Sequence, residues 1–132
     1  NGVHQGAYVL WEQGSAPSLI LIASGSEVQL VLAAGQQLAK EGVAVRVVSM
    51  PSWELFARQP EEIRERVLPA ACTRRVAVEA GSTFGWERYV GDKGRVIGLD
   101  RYGASAPAGT LAEKFGFTTA HVLEVAREVL QS

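Results

Sequence analysis

The stretch Ser18-Leu-Ile-Leu-Ile-Ala23, followed at once by Ser24-Gly25-Ser26-Glu27, decides the fold of this chain. A run of apolar residues bounded by small polar ones predicts a strand buried on both faces, as in the centre of a parallel sheet. The range Gly25–Glu41 then repeats apolar residues at helical spacing and predicts an amphipathic helix. Ser24 stands three residues before Glu27. That spacing is typical of a capping box, in which each side chain satisfies a backbone N–H group.

The same alternation of strand and helix extends along the rest of the chain. Further strands are predicted at Ala7–Glu12, Val43–Ser49, Arg75–Glu79 and Arg95–Leu99, and helices at Trp53–Arg58 (with Ser52 as its cap), Pro60–Val67, Trp86–Val90 and Thr119–Leu130. Gly42 is placed to end the first helix in a left-handed turn. The link Gln13–Pro17 is too short for a parallel crossover, so the first strand should run antiparallel to the next. We therefore expect a three-layer α/β/α fold with about five strands, four of them parallel and the first antiparallel at an edge.

Composition narrows the class of protein. The 132 residues fit one domain, residues 1–132, of a globular protein with 47% apolar and 20% charged residues. The net charge of −1 gives no attraction to nucleic acid or an anionic membrane, so we expect neither as a partner. The single cysteine, Cys72, excludes an internal disulfide and is interpreted as a small buried hydrophobe. The chain begins at Asn1 without a methionine, which fits a processed protein or an excised C-terminal domain.

Ligands of open parallel sheets bind beyond the carboxyl ends of the strands. There the loop Ser24-Gly25-Ser26 leads into a helix N-terminus and is a candidate anion-binding rim. It has one glycine and matches no phosphate-binding motif, so we favour a plain capped helix. Glu79 and Asp100 also follow predicted strands, and a pair of carboxylates can divide acid and base roles. We favour ion pairs with nearby arginines instead.

Other groups in the sequence give weaker signals. His4 and His121 do not have the spacing of metal ligands. Five aromatic residues fall in or beside the predicted strand-end loops: Trp53, Phe84, Trp86, Tyr89 and Tyr102. They either fold back into the core or form a candidate interface with a partner outside this chain. Both interpretations stay open.

The ordered succession of motifs resembles the C-terminal domain of transketolase. The motifs are Gly25-Ser-Glu-Val28, Arg46-Val-Val-Ser-Met-Pro-Ser52, Phe56, Gln59, Val67-Leu-Pro69, Val76-Ala-Val-Glu-Ala-Gly81, Tyr89-Val-Gly91, Gly103-Ala-Ser-Ala-Pro107 and Phe115-Gly-Phe-Thr118. Each is weak alone, but together they span essentially the whole chain. The stretch Gly81-Ser-Thr-Phe-Gly-Trp-Glu87 is most similar to plant and cyanobacterial members. One departure is Ala57, where relatives often carry an acid.

The resemblance implies a parent enzyme that transfers a two-carbon ketol unit between phosphosugars. Such enzymes use thiamine diphosphate and a divalent metal, Mg²⁺ or Ca²⁺, held between the first two domains of a homodimer. The partners of this chain would be those remaining domains. The setting would be the pentose phosphate pathway or the Calvin cycle, in the cytoplasm or, in a plant, the plastid.

The cofactor motif of that family is missing from this chain. It needs Gly-Asp-Gly followed by paired asparagines, whereas the chain has only Asn1, Asp92 and Asp100 to offer. We therefore expect no catalytic, cofactor-binding or metal-binding residue here, and a structural and assembly role. Two alternatives stay open: a regulatory module that binds an anion or nucleotide, and the equivalent domain of a dihydroxyacetone synthase.

Overall fold

The structure, a computed structural model, describes residues 6–14, 16–24, 27–79, 87–91, 94–98 and 119–131. The described strands are β1 Tyr8–Glu12, β2 Leu19–Ala23, β3 Val45–Ser49, β4 Arg75–Glu79 and β5 Arg95–Gly98. The described helices are α1 Val28–Lys40, α2 Trp53–Ala57, α3 Glu61–Val67, α4 Glu87–Val90 and α5 Thr119–Gln131. The described elements follow the predicted order, since hydrophobic periodicity and turn residues are local signals.

The five strands form one sheet in the order β1-β3-β2-β4-β5. Strands β3, β2, β4 and β5 pair in parallel, and β1 pairs with β3 in the antiparallel sense at one edge. This confirms the predicted mixed sheet. β1 runs antiparallel to β2 as expected, but the two are not neighbours because β3 lies between them.

Helices cover both faces of the sheet and give the three predicted layers. On one face, α1 and α5 pack on Leu19, Leu21 and other strand residues through Val31, Ala34, Leu38, Val122, Val125, Ala126 and Val129. On the other face, α2, α3 and α4 contribute Phe56, Val67 and Val90 to a second cluster around Ile20 and Ile22. All five residues of β2 are fully buried, as expected for the central strand.

Helix α1 packs closely on β3 because it has a glycine at the contact. A Cβ atom at Gly35 would lie 2.7 Å from Val47 Cγ2. The helix ends in a Schellman motif, with the Gly42 N–H bonded to the Ala39 carbonyl at 3.0 Å and the Val43 N–H to the Leu38 carbonyl at 3.1 Å. Gly42 has a φ of 91°, which confirms the predicted left-handed turn.

The start of α1 differs from the prediction. Its N-cap residue is Glu27, whose side chain makes no capping hydrogen bond, so the predicted capping box with Ser24 is wrong. The helix begins only at Val28, so Ser24 lies too far before it to act as the cap. The Ser24 hydroxyl donates to the Glu79 carboxylate, which β4 brings within reach because it lies beside β2. The predicted cap of α2 is confirmed: the Ser52 hydroxyl oxygen accepts from the Leu55 N–H at 3.2 Å.

The edge strand β1 contains an irregularity at Leu10. Val9 is opposite Val48 and Trp11 is opposite Val47, so Leu10 is an extra residue without a partner in the β1–β3 register. Its side chain is 38% exposed. This arrangement is a β-bulge, which locally bends and twists the strand that carries it.

Candidate functional site

The order of the strands identifies one position where a ligand crevice is expected. From β2 the chain passes through α1 on one face to β3, whereas α2 and α3 lie on the other face on the way from β3 to β4. The order of connections therefore reverses between β2 and β4. In open α/β sheets, the carboxyl ends of two such strands border a topological switch point.

A hydrogen bond links the carboxyl ends of these two strands. The Ser24 Oγ, which follows β2, donates to Oε1 of Glu79, the last residue of β4, over 3.1 Å. Both residues are half-buried. A carboxylate beside Ser24 repels a second negative charge, so this geometry is unfavourable for the anion-binding role for which Ser24 is a candidate. Gly25 and Ser26, the other two residues of that candidate rim, lie outside the described residues.

The predicted pair of carboxylates is described only in part. Glu79 accepts from Ser24 as above, while Asp100 lies outside the described residues. Of the arginines near these residues in sequence, Arg75 occupies the opposite end of β4 and donates to main-chain carbonyls there. The favoured ion pairs of Glu79 and Asp100 with nearby arginines therefore stay a prediction, with a division of acid and base roles as the alternative.

Among the five candidate interface aromatics, the structure describes the side chain of Tyr89 only. Tyr89 is half-buried, and its ring lies 6.0 Å from the Phe56 ring at an angle of 59°. This tilted arrangement is a favourable one for aromatic pairs. Trp53 is the first residue of α2, and its side chain is not described. Phe84, Trp86 and Tyr102 lie outside the described residues, so the candidate interface stays a prediction.

The opposite, amino end of the sheet holds a polar cluster that sequence reasoning did not single out. Arg46 on β3 and Arg75 on β4 are both register partners of Ile20 on β2, one on each side. Arg46 is only 8% exposed. Its Nε donates to Glu12 Oε2 at 2.9 Å, and its Nη1 donates to the carbonyls of Arg66 at 2.9 Å and Val67 at 3.3 Å.

Arg75 binds four further carbonyls, of which those of Leu68 and Pro69 follow directly on the end of α3 and that of Tyr89 belongs to α4. Its nitrogens donate to the main-chain oxygens of Cys72 at 3.0 Å, Pro69 at 2.9 Å, Leu68 at 3.3 Å and Tyr89 at 2.5 Å. Burial lowers the pKa of Arg75, although an arginine stays charged at neutral pH. Carbonyls at a helix C-terminus lack intrahelical partners and carry partial negative charge, so two guanidinium groups satisfy them well.

One sequence signal pointed to this cluster. The run Val45-Arg46-Val47-Val48 places an arginine inside a strand that is otherwise apolar on both faces. A buried arginine requires partners, so its position in a central strand indicates a polar network.

A small open pocket of about 300 Å³ lies beside this cluster. Arg46, Arg66, Glu65, Pro17 and Cys72 contribute to its walls. Cys72 is 6% exposed, which supports its interpretation as a buried residue. Burial raises the pKa of the Cys72 thiol, which keeps it in its unreactive neutral form.

Within the described ranges, no group of three or more His, Cys, Asp or Glu side chains could hold a metal ion. His121 is half-buried at the start of α5, and its Nδ1 lies 3.3 Å from Glu124 Oε1. His4 lies outside the described residues. The described part of the chain contains no helix with the length and apolar character needed to cross a bilayer.

The sheet order and the switch point between β2 and β4 define a doubly wound α/β/α domain. Many proteins of unrelated activity share this class of fold. The sequence profile of the family described as the transketolase-like TK C-terminal domain matches residues 6–118. The chain therefore belongs to the transketolase family, as a C-terminal domain.

Individual relatives agree with this assignment. Transketolase 7 of Craterostigma plantagineum is 52% identical over an alignment of 132 positions, gaps included. The alignment covers 97% of this chain and 20% of that protein. The chloroplastic transketolase of Spinacia oleracea is 51% identical, with 97% of this chain and 18% of that protein covered. The structure of transketolase from Leishmania mexicana superimposes with a TM-score of 0.88 at 45% identity, covering 98% of this chain and 18% of that one. The chain thus spans about a fifth of the relatives' length.

At the switch point, the two described side chains of Ser24 and Glu79 do not fit a thiamine diphosphate–metal site. A diphosphate needs cationic or N–H donors and a metal needs several oxygen ligands. The switch point instead presents Glu79, which is already hydrogen-bonded to Ser24. We therefore assign no step of a reaction to Ser24 or Glu79.

Proposed function

We propose that this chain is the C-terminal domain of a transketolase that transfers a two-carbon ketol unit between phosphosugars. In that enzyme, thiamine diphosphate and a divalent metal bind to the other domains, and the enzyme is a homodimer. The chain itself has a structural and assembly role. One observation carries the proposal: the family match spans residues 6–118, while the chain is about a fifth of the length of its relatives.

Several further features belong to the same proposal. Residues 1–132 form a single domain that packs on the remaining domains of the enzyme. The domain binds neither nucleic acid nor membranes. The parent acts in the cytoplasm or, in a plant, in the plastid, for which the name of the Spinacia oleracea relative is the support. That relative and Transketolase 7 are named as transketolases, which favours this activity over that of a dihydroxyacetone synthase.

A domain replacement tests the assembly role. The C-terminal region of the Spinacia oleracea transketolase is exchanged for residues 6–131 of this chain, and a second protein lacks that region altogether. We expect the chimera to form the same oligomer as the parent in analytical ultracentrifugation and to retain ketol transfer, and the truncated protein to lose assembly. A truncated protein with unchanged assembly would contradict the proposed role.

The absence of catalysis by the chain alone is tested separately. The 132-residue chain is incubated with thiamine diphosphate, Mg²⁺ and phosphosugars, with the parent transketolase as the positive control. We expect no turnover and no heat of cofactor binding in calorimetry. Turnover above background would contradict the structural role. The regulatory anion or nucleotide module has no support from the comparisons, and Glu79 at the switch point weighs against an anion there.

A further inference from the structure

Helix α3 has little apolar contact with the sheet. Only Val67 is buried among its seven residues, whereas α1 buries four, Val31, Ala34, Gly35 and Leu38. Its remaining surface is largely charged, with Glu61 and Glu62 in its first turn and Arg64 and Arg66 in its last. Hydrophobic burial therefore stabilises the docking of α3 much less than that of α1.

Hydrogen bonds from the sheet to the end of α3 compensate for this small burial. Arg46 donates to the carbonyls of Arg66 and Val67, and Arg75 donates to those of Leu68 and Pro69, the next two residues of the chain. Four consecutive carbonyls are thus bound by two guanidinium groups whose backbones belong to β3 and β4. Bonds to a charged donor are about twice as strong as neutral ones, so these two side chains add substantially to the docking that buried Phe56, Val67 and Leu68 provide.

We propose that Arg46 and Arg75 act as a latch that holds residues 53–72, which we call the α2–α3 segment, on the sheet. The segment opens as a unit when the latch releases, while the sheet and the layer of α1 and α5 stay folded. Among its twenty residues the segment buries the apolar side chains of Phe56, Val67 and Leu68 and the thiol of Cys72 in the second core cluster, while most of α3 stays exposed or half-buried. Regions with few buried apolar contacts are those that open locally in native proteins. The fold therefore has one rigid face and one face that can open.

Cys72 reports on this opening. It is buried at the end of the segment, its Sγ lies 3.7 Å from the Arg74 carbonyl, and its main-chain oxygen accepts from Arg75 Nε. It is the single cysteine of the chain, so a thiol reagent labels this position alone. Burial and the raised pKa slow labelling of the thiol in the closed state, although Cys72 borders the open pocket, and release of the segment exposes the thiol fully and accelerates labelling.

The first test uses the unmodified chain. An aromatic disulfide reagent labels Cys72 at neutral pH. The rate of labelling is measured at rising urea concentrations, all below the unfolding transition. Local opening exposes little surface, so we expect labelling to depend on urea much less steeply than global unfolding does. An equally steep dependence would show that Cys72 is released only when the whole domain unfolds, and would overturn the proposal.

The second test weakens the latch. Arg75→Lys keeps the charge but loses the planar fork that binds several carbonyls at once. We expect labelling of Cys72 and hydrogen–deuterium exchange of residues 53–72 to become about tenfold faster, because one net hydrogen bond is worth about that factor. Exchange in α1 and α5 should change by less than about twofold. A uniform increase in all elements would overturn the proposal.

Arg127→Gln is the matched control. Arg127 Nη2 lies 2.6 Å from Glu41 Oε2 and joins α5 to the end of α1, on the other face of the sheet. Removing this exposed pair should leave labelling of Cys72 unchanged, because it does not touch the α2–α3 segment. If Arg127→Gln accelerates labelling as much as Arg75→Lys does, the effect is general destabilisation and the latch is excluded.

Discussion

The Ser24 hydroxyl and the Glu79 carboxylate, 55 residues apart in sequence, lie 3.1 Å apart at the carboxyl ends of adjacent strands. They join the two strands at which the order of the sheet reverses. This bond holds together the two sides of the position where a ligand crevice is expected. Within the described residues, Ser24 makes this bond and does not cap α1, whose N-cap residue is Glu27.

Removing this hydroxyl should destabilise the domain moderately. For Ser24→Ala we expect the free energy of unfolding to fall by about 1 kcal/mol, because a half-buried carboxylate loses one donor. Urea denaturation followed by circular dichroism measures the change. Glu79→Gln is the comparison, since its amide oxygen still accepts from Ser24 and the loss should be smaller. An equal stability of Ser24→Ala and the unmodified chain would contradict a contribution from this bond.

Substitution of the buried Arg46 should lower the free energy of unfolding strongly. Arg46→Met removes the donor for two carbonyls and for Glu12, and we expect a loss of about 2–3 kcal/mol. Arg58→Met is the control, because Arg58 and Glu54 form an exposed pair within one helical turn, with side chains 70% and 76% exposed. Such pairs contribute less than about 0.5 kcal/mol. Equal losses in the two variants would show that burial of Arg46 has no energetic consequence.

Gly35 should not tolerate a methyl group although it lies inside a helix. Gly35→Ala gains up to about 1 kcal/mol of helix propensity. It also brings a Cβ atom to 2.7 Å from Val47 Cγ2 and 3.3 Å from Val45 Cγ1, an overpacking that costs about 1–3 kcal/mol. We expect a net loss of about 1 kcal/mol in thermal or urea unfolding. Gln36→Ala, at the exposed neighbouring position, should change stability by less than about 0.5 kcal/mol. A stabilised Gly35→Ala would refute the close approach of α1 to β3.

Glu41 should titrate below the usual range of a glutamate. The hydrogen bonds from Gln37 Nε2 at 3.1 Å and Arg127 Nη2 at 2.6 Å lower the pKa of this exposed carboxyl. Because the folded-state pKa is the lower one, the contribution to stability is present above the unfolded-state pKa and is lost as the pH falls through the folded-state pKa. An NMR titration of the carboxyl ¹³C signal measures the pKa of Glu41. Gln37→Ala and Arg127→Gln should each raise the pKa of Glu41, whereas Gln36→Ala should not move it.

The parts of the fold that local patterns determine were predictable. The strand at Arg75–Glu79 has the predicted limits, and the buried residues of α5 are those of its apolar helical face. The polar contacts were not predictable, because they depend on which strands become neighbours. Ser24 has a potential local partner in sequence, Glu27, but the order of the sheet brings Glu79 within hydrogen-bonding distance. Likewise, Arg46 and Arg75 lie on either side of Ile20 only because β3 and β4 flank β2 in the sheet.

The irregularity at Leu10 has a consequence for copies of this domain in solution. Among the described strands, β1 is the last on its side of the sheet. An outer strand offers a row of backbone groups on which another polypeptide can form a further strand. The extra residue breaks the even spacing of those groups and turns the strand out of line. The bulge therefore protects the domain against edge-to-edge pairing of β1 with another copy. Deleting Leu10 should promote aggregation through this edge.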